Sequence, residues 1–245
     1  MLKLEIENLC IEFENKVIVK DINLKVNKGE LVSIVGVSGT GKSTIFNAVA
    51  GLISPKYGNI YLNKENIVNK KGKVSYMLQK DLLLPFRTTI DNIALPLLIK
   101  GVNKEEAYKK INNYIDKFGL KNQEFKYPNK LSGGQRQRAA LLRTYMFSSD
   151  MILLDEPFSA LDFITKKNIH KWYMDIRKEL NLTTLLITHD IDEAIYLSDK
   201  ISILASNGEY STLSKEIEIN LENRDNTSPE FNNIKRKILN LMHIE

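Results

Sequence analysis

Short apolar runs recur along the chain, separated by longer amphipathic stretches, and this alternation predicts strands interleaved with helices. Near the N-terminus apolar and charged side chains alternate, so residues 2–6, 17–19 and 22–26 are predicted to be short strands. The Asn27-Lys28-Gly29 turn leads into a mainly apolar strand at 31–35. Runs at 74–78, 151–154, 184–188 and 200–204 lack a polar face and predict buried strands. Between them, Asn103 with Glu106 and Asp190 with Glu193 have the spacing of capping boxes at helix starts. Ile169, Trp172, Ile176 and Leu180 share one helical face and are predicted core. From Ser228, an N-cap and Pro229 precede Phe231, Ile234, Ile238 and Leu241 on one face, a terminal amphipathic helix expected to dock on the body or on a partner.

Buried strands alternating with amphipathic helices predict an α/β fold, a mostly parallel sheet covered on both faces. Gly36, Gln79, Asp155 with Glu156, and His189 each come at the end of one of the apolar strands. The carboxyl edge of an open α/β sheet is where ligands bind, so these residues are expected to converge despite their separation in sequence.

Composition narrows the class. A chain of 245 residues that is 43% hydrophobic can bury a full core without disulfides. Cys10 is the single cysteine, which excludes an internal disulfide and a multi-cysteine metal site and fits a reducing compartment. The N-terminus lacks the apolar centre of a signal peptide, and apolar candidates such as 93–99, interrupted by Pro96, fall short of the roughly 20 residues that span a bilayer. The expected location is the cytoplasm, with membrane association supplied by a partner. The net charge of +5 is dispersed among acidic residues with no basic stripe, so no nucleic-acid partner is expected. His170 and His243 have no companions suited to a metal and receive no role.

The segment Gly36-Val37-Ser38-Gly39-Thr40-Gly41-Lys42-Ser43 fits the pattern GxxxxGK[ST] between a strand and a helix-like stretch at 44–50. Its glycines let successive backbone N–H groups point into one concavity. Lys42 adds a cation for the β- and γ-phosphates of ATP, Ser43 offers a hydroxyl to Mg²⁺, and Thr44 completes the nucleotide-binding set. Asp155 is the matching carboxylate for Mg²⁺, and Glu156 beside it is the candidate general base for an attacking water.

Leu131-Ser132-Gly133-Gly134-Gln135 is the most specific segment. Ser132 and Gln135 have capping-box spacing, but two glycines in a first turn cost helix stability and bring nothing to a merely structural helix. They permit close approach of an anion to a helix N-terminus, which makes a second phosphate-binding surface. One nucleotide site has no need of two such surfaces unless the second serves another subunit's nucleotide.

With these residues in place, the chain resembles the nucleotide-binding subunits of ABC transporters along about residues 2–205, most closely those of nitrate, sulfonate, taurine or thiamine-precursor importers. The resemblance rests on the phosphate loop, Gln79 in YMLQKDLLLPF, the LSGGQRQR signature, Asp155 with Glu156, Asp162 in SALD, and His189 in LITHD. It implies a P-loop NTPase with a RecA-like core, an N-terminal antiparallel β subdomain and a helical subdomain at about 82–147, so that 1–205 form the ATPase domain and 206–245 a short extension. It also implies a head-to-tail homodimer in which each ATP lies between the phosphate loop of one chain and Ser132, Gly133, Gly134 and Gln135 of the other. Gln79 then senses Mg²⁺ and water, His189 contacts the γ-phosphate, Asp162 links the two sites, and Phe13 stacks on adenine, in place of the more usual Tyr. Further implied partners are a membrane permease, contacted through residues 81–89, and an extracytoplasmic solute-binding protein, which places the chain on the inner face of the cell membrane. The alternative is a non-transport ABC ATPase of the division-associated type. A DNA-repair relative needs a long coiled coil for which the 43–131 interval is too short, and a P-loop kinase or GTPase leaves LSGGQ and His189 unexplained.

Overall fold

The computed structural model describes residues 1–148, 150–214 and 216–242; His243 lies outside them. Two long strands open the chain, β1 (Leu2–Phe13) and β2 (Lys16–Asn27), paired antiparallel through a two-residue turn. Glu14 and Asn15 both have positive φ in that turn, the geometry that matches the twist of a tight hairpin. The short strands expected at 2–6, 17–19 and 22–26 are therefore parts of two continuous ones. Asn8 (φ 47°) and Asp21 (φ 53°), which lie outside those expected runs, sit at register shifts, where a bulge bends a strand without ending its pairing.

The core sheet follows from β3 (Leu31–Val35), β6 (Ser75–Met77), β7 (Ile152–Asp155), β8 (Thr184–Thr188) and β9 (Lys200–Ser206). These pair in parallel in the order β9-β3-β8-β7-β6. Every residue of β3, β7 and β8 is buried, as a sheet covered on both faces requires. The antiparallel group adds β4 (Tyr57–Leu62) and β5 (Glu65–Asn66) beyond β1 and β2, and β10 (Ser211–Leu213) joins β2 to β9. The last strand, β11 (Ile217–Glu218), pairs with β9.

Helix α1 (Lys42–Val49) follows β3, and α2 (Thr89–Ile99), α3 (Lys104–Ile115) and α4 (Gly133–Phe147) lie between β6 and β7. Thr88, Asn103 and Ser132 cap them by accepting from the amides three residues on. After β7 come α5 (Phe163–Leu180) and, beyond β8, the short α6 (Ile191–Leu197). Ile169 and Ile176 are buried on α5, but Trp172 is only half-buried: its Nε1 donates to Lys117 O at 3.0 Å while Arg138 lies over its ring. The buried aromatic is its neighbour Tyr173, whose hydroxyl bonds Thr184 on β8 at 2.8 Å.

The terminal helix α7 (Pro229–Leu241) docks on the body. Phe231 and Ile238 pack with Val35, Ile195, Ile201 and Ile203, while Leu241, expected on the same face, is exposed and its neighbour Met242 packs against the cluster instead. Lys235 pairs with Asp192 at 2.6 Å, and Arg224 donates to the carbonyls of Tyr196 and Ser198 at the end of α6. Phe231→Ala is expected to cost about 3–5 kcal/mol, the usual loss for a buried phenyl ring. The urea midpoint measures it, and an unchanged midpoint would mean that α7 adds nothing to the stability of the body.

Candidate functional site

The connections that leave the carboxyl ends of β3, β6, β7 and β8 carry the residues that the sequence singles out. The loop after β3 turns sharply into α1, with Gly41 in the left-handed region at φ 97° as the N-cap. A Cβ at Gly41 would come within 2.8 Å of Val19, and one at Gly36 within 2.4 Å of Leu204 O, so the loop is walled by β2 and β9 and has room only for glycine at both places. Lys42 is buried at 6% exposure, and its Nζ donates to Gly36 O and Val37 O, each at 2.8 Å. Thr40 Oγ1 also donates to Val37 O, at 2.9 Å. The loop is thus curled around the lysine head. Burial lowers the Lys42 pKa, and the nearby Glu156 and Asp155 carboxylates oppose that shift.

Asp155 closes β7 and is buried. Tyr76 donates its hydroxyl to Asp155 Oδ2 at 3.1 Å, and the Ser43 hydroxyl is near enough to act on the same carboxylate. Burial raises the Asp155 pKa, with the two hydroxyls pulling the other way. Glu156 follows at φ 46°, a left-handed backbone that a non-glycine residue adopts only under constraint, held by its amide bond to Ile187 O at 2.9 Å. One oxygen of its carboxylate collects two partners: Gln79 Nε2 donates to Oε2 at 3.2 Å, and His189 Nδ1 lies 3.0 Å from the same atom. Gln79, Asp155, Glu156 and His189 therefore converge, as the strand-end argument anticipates.

Ser132 to Gln135 lie elsewhere on the molecule and make no hydrogen bond to the phosphate loop among the described residues. Ser132 caps α4 in a reciprocal box with Gln135, at 3.3 and 2.9 Å, and remains exposed. Added Cβ atoms at Gly133 and Gly134 would press on Leu161 (3.1 Å) and Thr165 (3.2 Å), so these glycines also let α4 approach the start of α5. Asp162 caps α5 by accepting from Thr165 N at 3.0 Å, and the bonds from Thr165 lower its pKa. Phe13 stands at the tip of the β1–β2 hairpin and is 47% exposed.

Sequence reasoning missed Tyr76, which reads as one more member of a buried run. It also missed the environment of His170. The capping box expected at Asp190 and Glu193 is only half made: Asp190 Oδ1 accepts from Glu193 N at 3.1 Å, but the Glu193 carboxylate turns instead to Thr188 and His170. Segment 81–86 is tied to α4 by Arg136, 3.4 Å from Asp81, and by Arg143, which donates to Leu82 O at 2.8 Å. Leu82 and Phe86 are exposed, whereas Leu83, expected beside Phe86 on that surface, is buried in the core with Met77 and Ile93. Leu52, Leu78, Leu82, Ile99 and Phe147 line an apolar groove of about 370 Å³.

This arrangement fits a Mg²⁺ nucleotide. None of the amides of residues 39–44 donates to another described residue, so a ring of N–H groups is free to face an anion, and Gly39 opens on unobstructed space. Ser43 and Asp155 would supply the hard oxygen donors that Mg²⁺ prefers.

Residues 19–159 match the profile of a family described as ABC transporter. The chain is 42% identical over 189 residues to the formylaminopyrimidine import ATP-binding protein ThiZ of Halalkalibacterium halodurans, covering 77% of this chain and 74% of that one. It is 37% identical over 223 residues to the aliphatic sulfonates import ATP-binding protein SsuB of Bacillus licheniformis, covering 91% and 86%. Among solved structures, it superposes with a TM-score of 0.73 on a dimeric post-hydrolysis state of the ATP-binding cassette MJ0796 bound to ADP and Pi, at 29% identity over 89% of this chain and 99% of that one.

Proposed function

This chain belongs to the ABC transporter family as one of its ATP-hydrolysing subunits, and from that premise we propose that it powers the import of a small solute by closing head to tail with a second copy around ATP. The observation that carries the mechanism is the meeting of Gln79 and His189 on one carboxylate oxygen of Glu156, beside a loop whose amides face outward. Glu156 accepts the proton of the attacking water, Gln79 orients that water, and His189 reaches the γ-phosphate. Lys42 and the loop amides from Gly36 to Thr44 hold the phosphates, while Phe13 offers its exposed face to adenine. Bound Mg²⁺, held through Ser43 and Asp155 with Gln79 nearby, supplies electrostatic stabilisation of the transferred phosphoryl group. Ser132, Gly133, Gly134 and Gln135 present the N-terminus of α4 to the partner's nucleotide, and Asp162 passes the state of one site to the other.

Residues 1–205 form the ATPase unit with its helical part at 82–147, and 206–245 are an extension whose Arg224 and α7 buttress α6. Among the described residues no helix is long and apolar enough to cross a membrane. The likeness to import ATP-binding proteins supports a place on the inner face of the cell membrane, working through a permease with a solute-binding protein delivering cargo. The apolar groove beside Leu82 and Phe86 receives a helix of that permease, and Arg136 and Arg143 carry its movement into α4 and thus to Ser132. The relatives named for import of formylaminopyrimidine and sulfonates support this direction of transport.

Leu82→Ser with Phe86→Ser is expected to abolish uptake in reconstituted vesicles while soluble ATPase activity stays near wild type, because both side chains are exposed and lie outside the nucleotide site. Undiminished uptake would remove the permease assignment and favour a non-transport role.

A further inference from the structure

The imidazole of His189 is 55% exposed and sits on a loop, yet it meets Glu156 at 3.0 Å, so its backbone must be held from elsewhere. Glu193, 3% exposed, does this from below. Its Oε2 accepts from the Thr188 hydroxyl at 2.7 Å, and Oε1 lies 3.2 Å from His170 Nε2. Its amide donates to Asp190 Oδ1 at 3.1 Å, and the Asp190 amide donates to Thr188 Oγ1 at 3.0 Å. Both chain neighbours of His189 are thereby fastened to one residue, Thr188 to the buried Glu193 carboxylate and Asp190 to the Glu193 amide and, through its own amide, to Thr188.

The other end of the brace is α5. Lys166 Nζ donates to Asp190 Oδ2 at 3.1 Å. His170, itself buried, lies edge-on to Phe158 at 5.1 Å and stacked with Tyr196 at 6.0 Å. Phe158 stands two residues beyond Glu156, so the brace supports both sides of the contact between Glu156 and His189. A buried carboxylate that has lost a partner is costly, which makes such a network a two-way clamp rather than a soft spring.

We propose that Glu193, backed by His170, is the positioning residue that aims His189 at the hydrolytic site. This rests on the reading of His189 as the γ-phosphate contact. Glu193 touches neither nucleotide nor attacking water; it acts by fixing the loop, and a misplacement on the order of 1 Å at a reacting centre costs up to about 10²-fold in rate.

The test compares Glu193→Ala, Glu193→Gln, Thr188→Val, His189→Ala and the His189→Ala/Glu193→Ala pair by kcat, KM, affinity for a non-hydrolysable ATP analogue, and Tm. Glu193→Ala is expected to lower kcat about 10- to 100-fold with analogue affinity within about twofold of wild type. Glu193→Gln, which keeps an acceptor for Thr188 and a polar partner for His170, recovers most of that loss. The double variant is no slower than His189→Ala alone, because an unaimed side chain that is already missing cannot be lost again. Should Glu193→Ala fail to fold, Thr188→Val removes one bond of the clamp and is expected to lower kcat without weakening analogue binding. Wild-type kcat in Glu193→Ala or in Thr188→Val, equal damage from Gln and Ala, a parallel fall in nucleotide affinity, or multiplying losses in the double variant overturns the proposal. Wild-type kcat in His189→Ala removes the reading of His189 itself, and this proposal with it.

Discussion

Lys42→Ala is expected to remove ATP binding at working concentrations. The ammonium is buried where it binds two loop carbonyls, Gly36 O and Val37 O, with the Asp155 and Glu156 carboxylates close by. It holds the loop curled, and in the proposed site it would also present a desolvated positive charge to phosphate. Truncating one partner of a buried, hydrogen-bonded charge pair costs about 2–5 kcal/mol, and every 1.4 kcal/mol is about tenfold in affinity. A fluorescent ATP analogue reports the loss directly, and near-wild-type affinity would sink the assignment of the phosphate loop.

Glu156→Gln is expected to separate binding from turnover. Gln keeps the shape and can still accept from Gln79, but it cannot take a proton, and losing a general base lowers rates by about 10²–10⁴. Lys42, Ser43 and the loop amides are untouched, so ATP still binds. Nucleotide that is bound but not hydrolysed keeps stabilising whatever assembly it bridges. Turnover at the wild-type rate would show that another group accepts the proton.

How much of this was legible in the sequence follows from the range over which each feature is determined. The convergence of Gln79, Asp155, Glu156 and His189 could be read because strand ends in a parallel sheet share one edge, and each residue closes or follows an apolar run. Capping by Ser132, Asn103 and Ser228 is local and was equally readable. The continuity of β1 and β2 was not, because a bulge at Asn8 or Asp21 presents the same polar residue as a turn. Leu83 and Leu82 are chemically identical, and only the packing of α2 and α4 decides which one is buried. The Glu193 carboxylate leaves its local cap for His170, a partner 23 positions away on another helix, and nothing in the local spacing announces that choice.

In the proposed dimer, ATP is shared between the phosphate loop of one chain and Ser132 to Gly134 of another. Light scattering of Glu156→Gln with Mg-ATP, with and without a further Ser132→Arg change, reads this sharing as a mass. The single variant is expected to give a particle of twice the 28.1 kDa chain mass, reverting to one chain when Ser132→Arg places a bulky side chain against the partner's γ-phosphate. A single variant that binds ATP yet stays at the mass of one chain, or a dimer indifferent to Ser132→Arg, would contradict it.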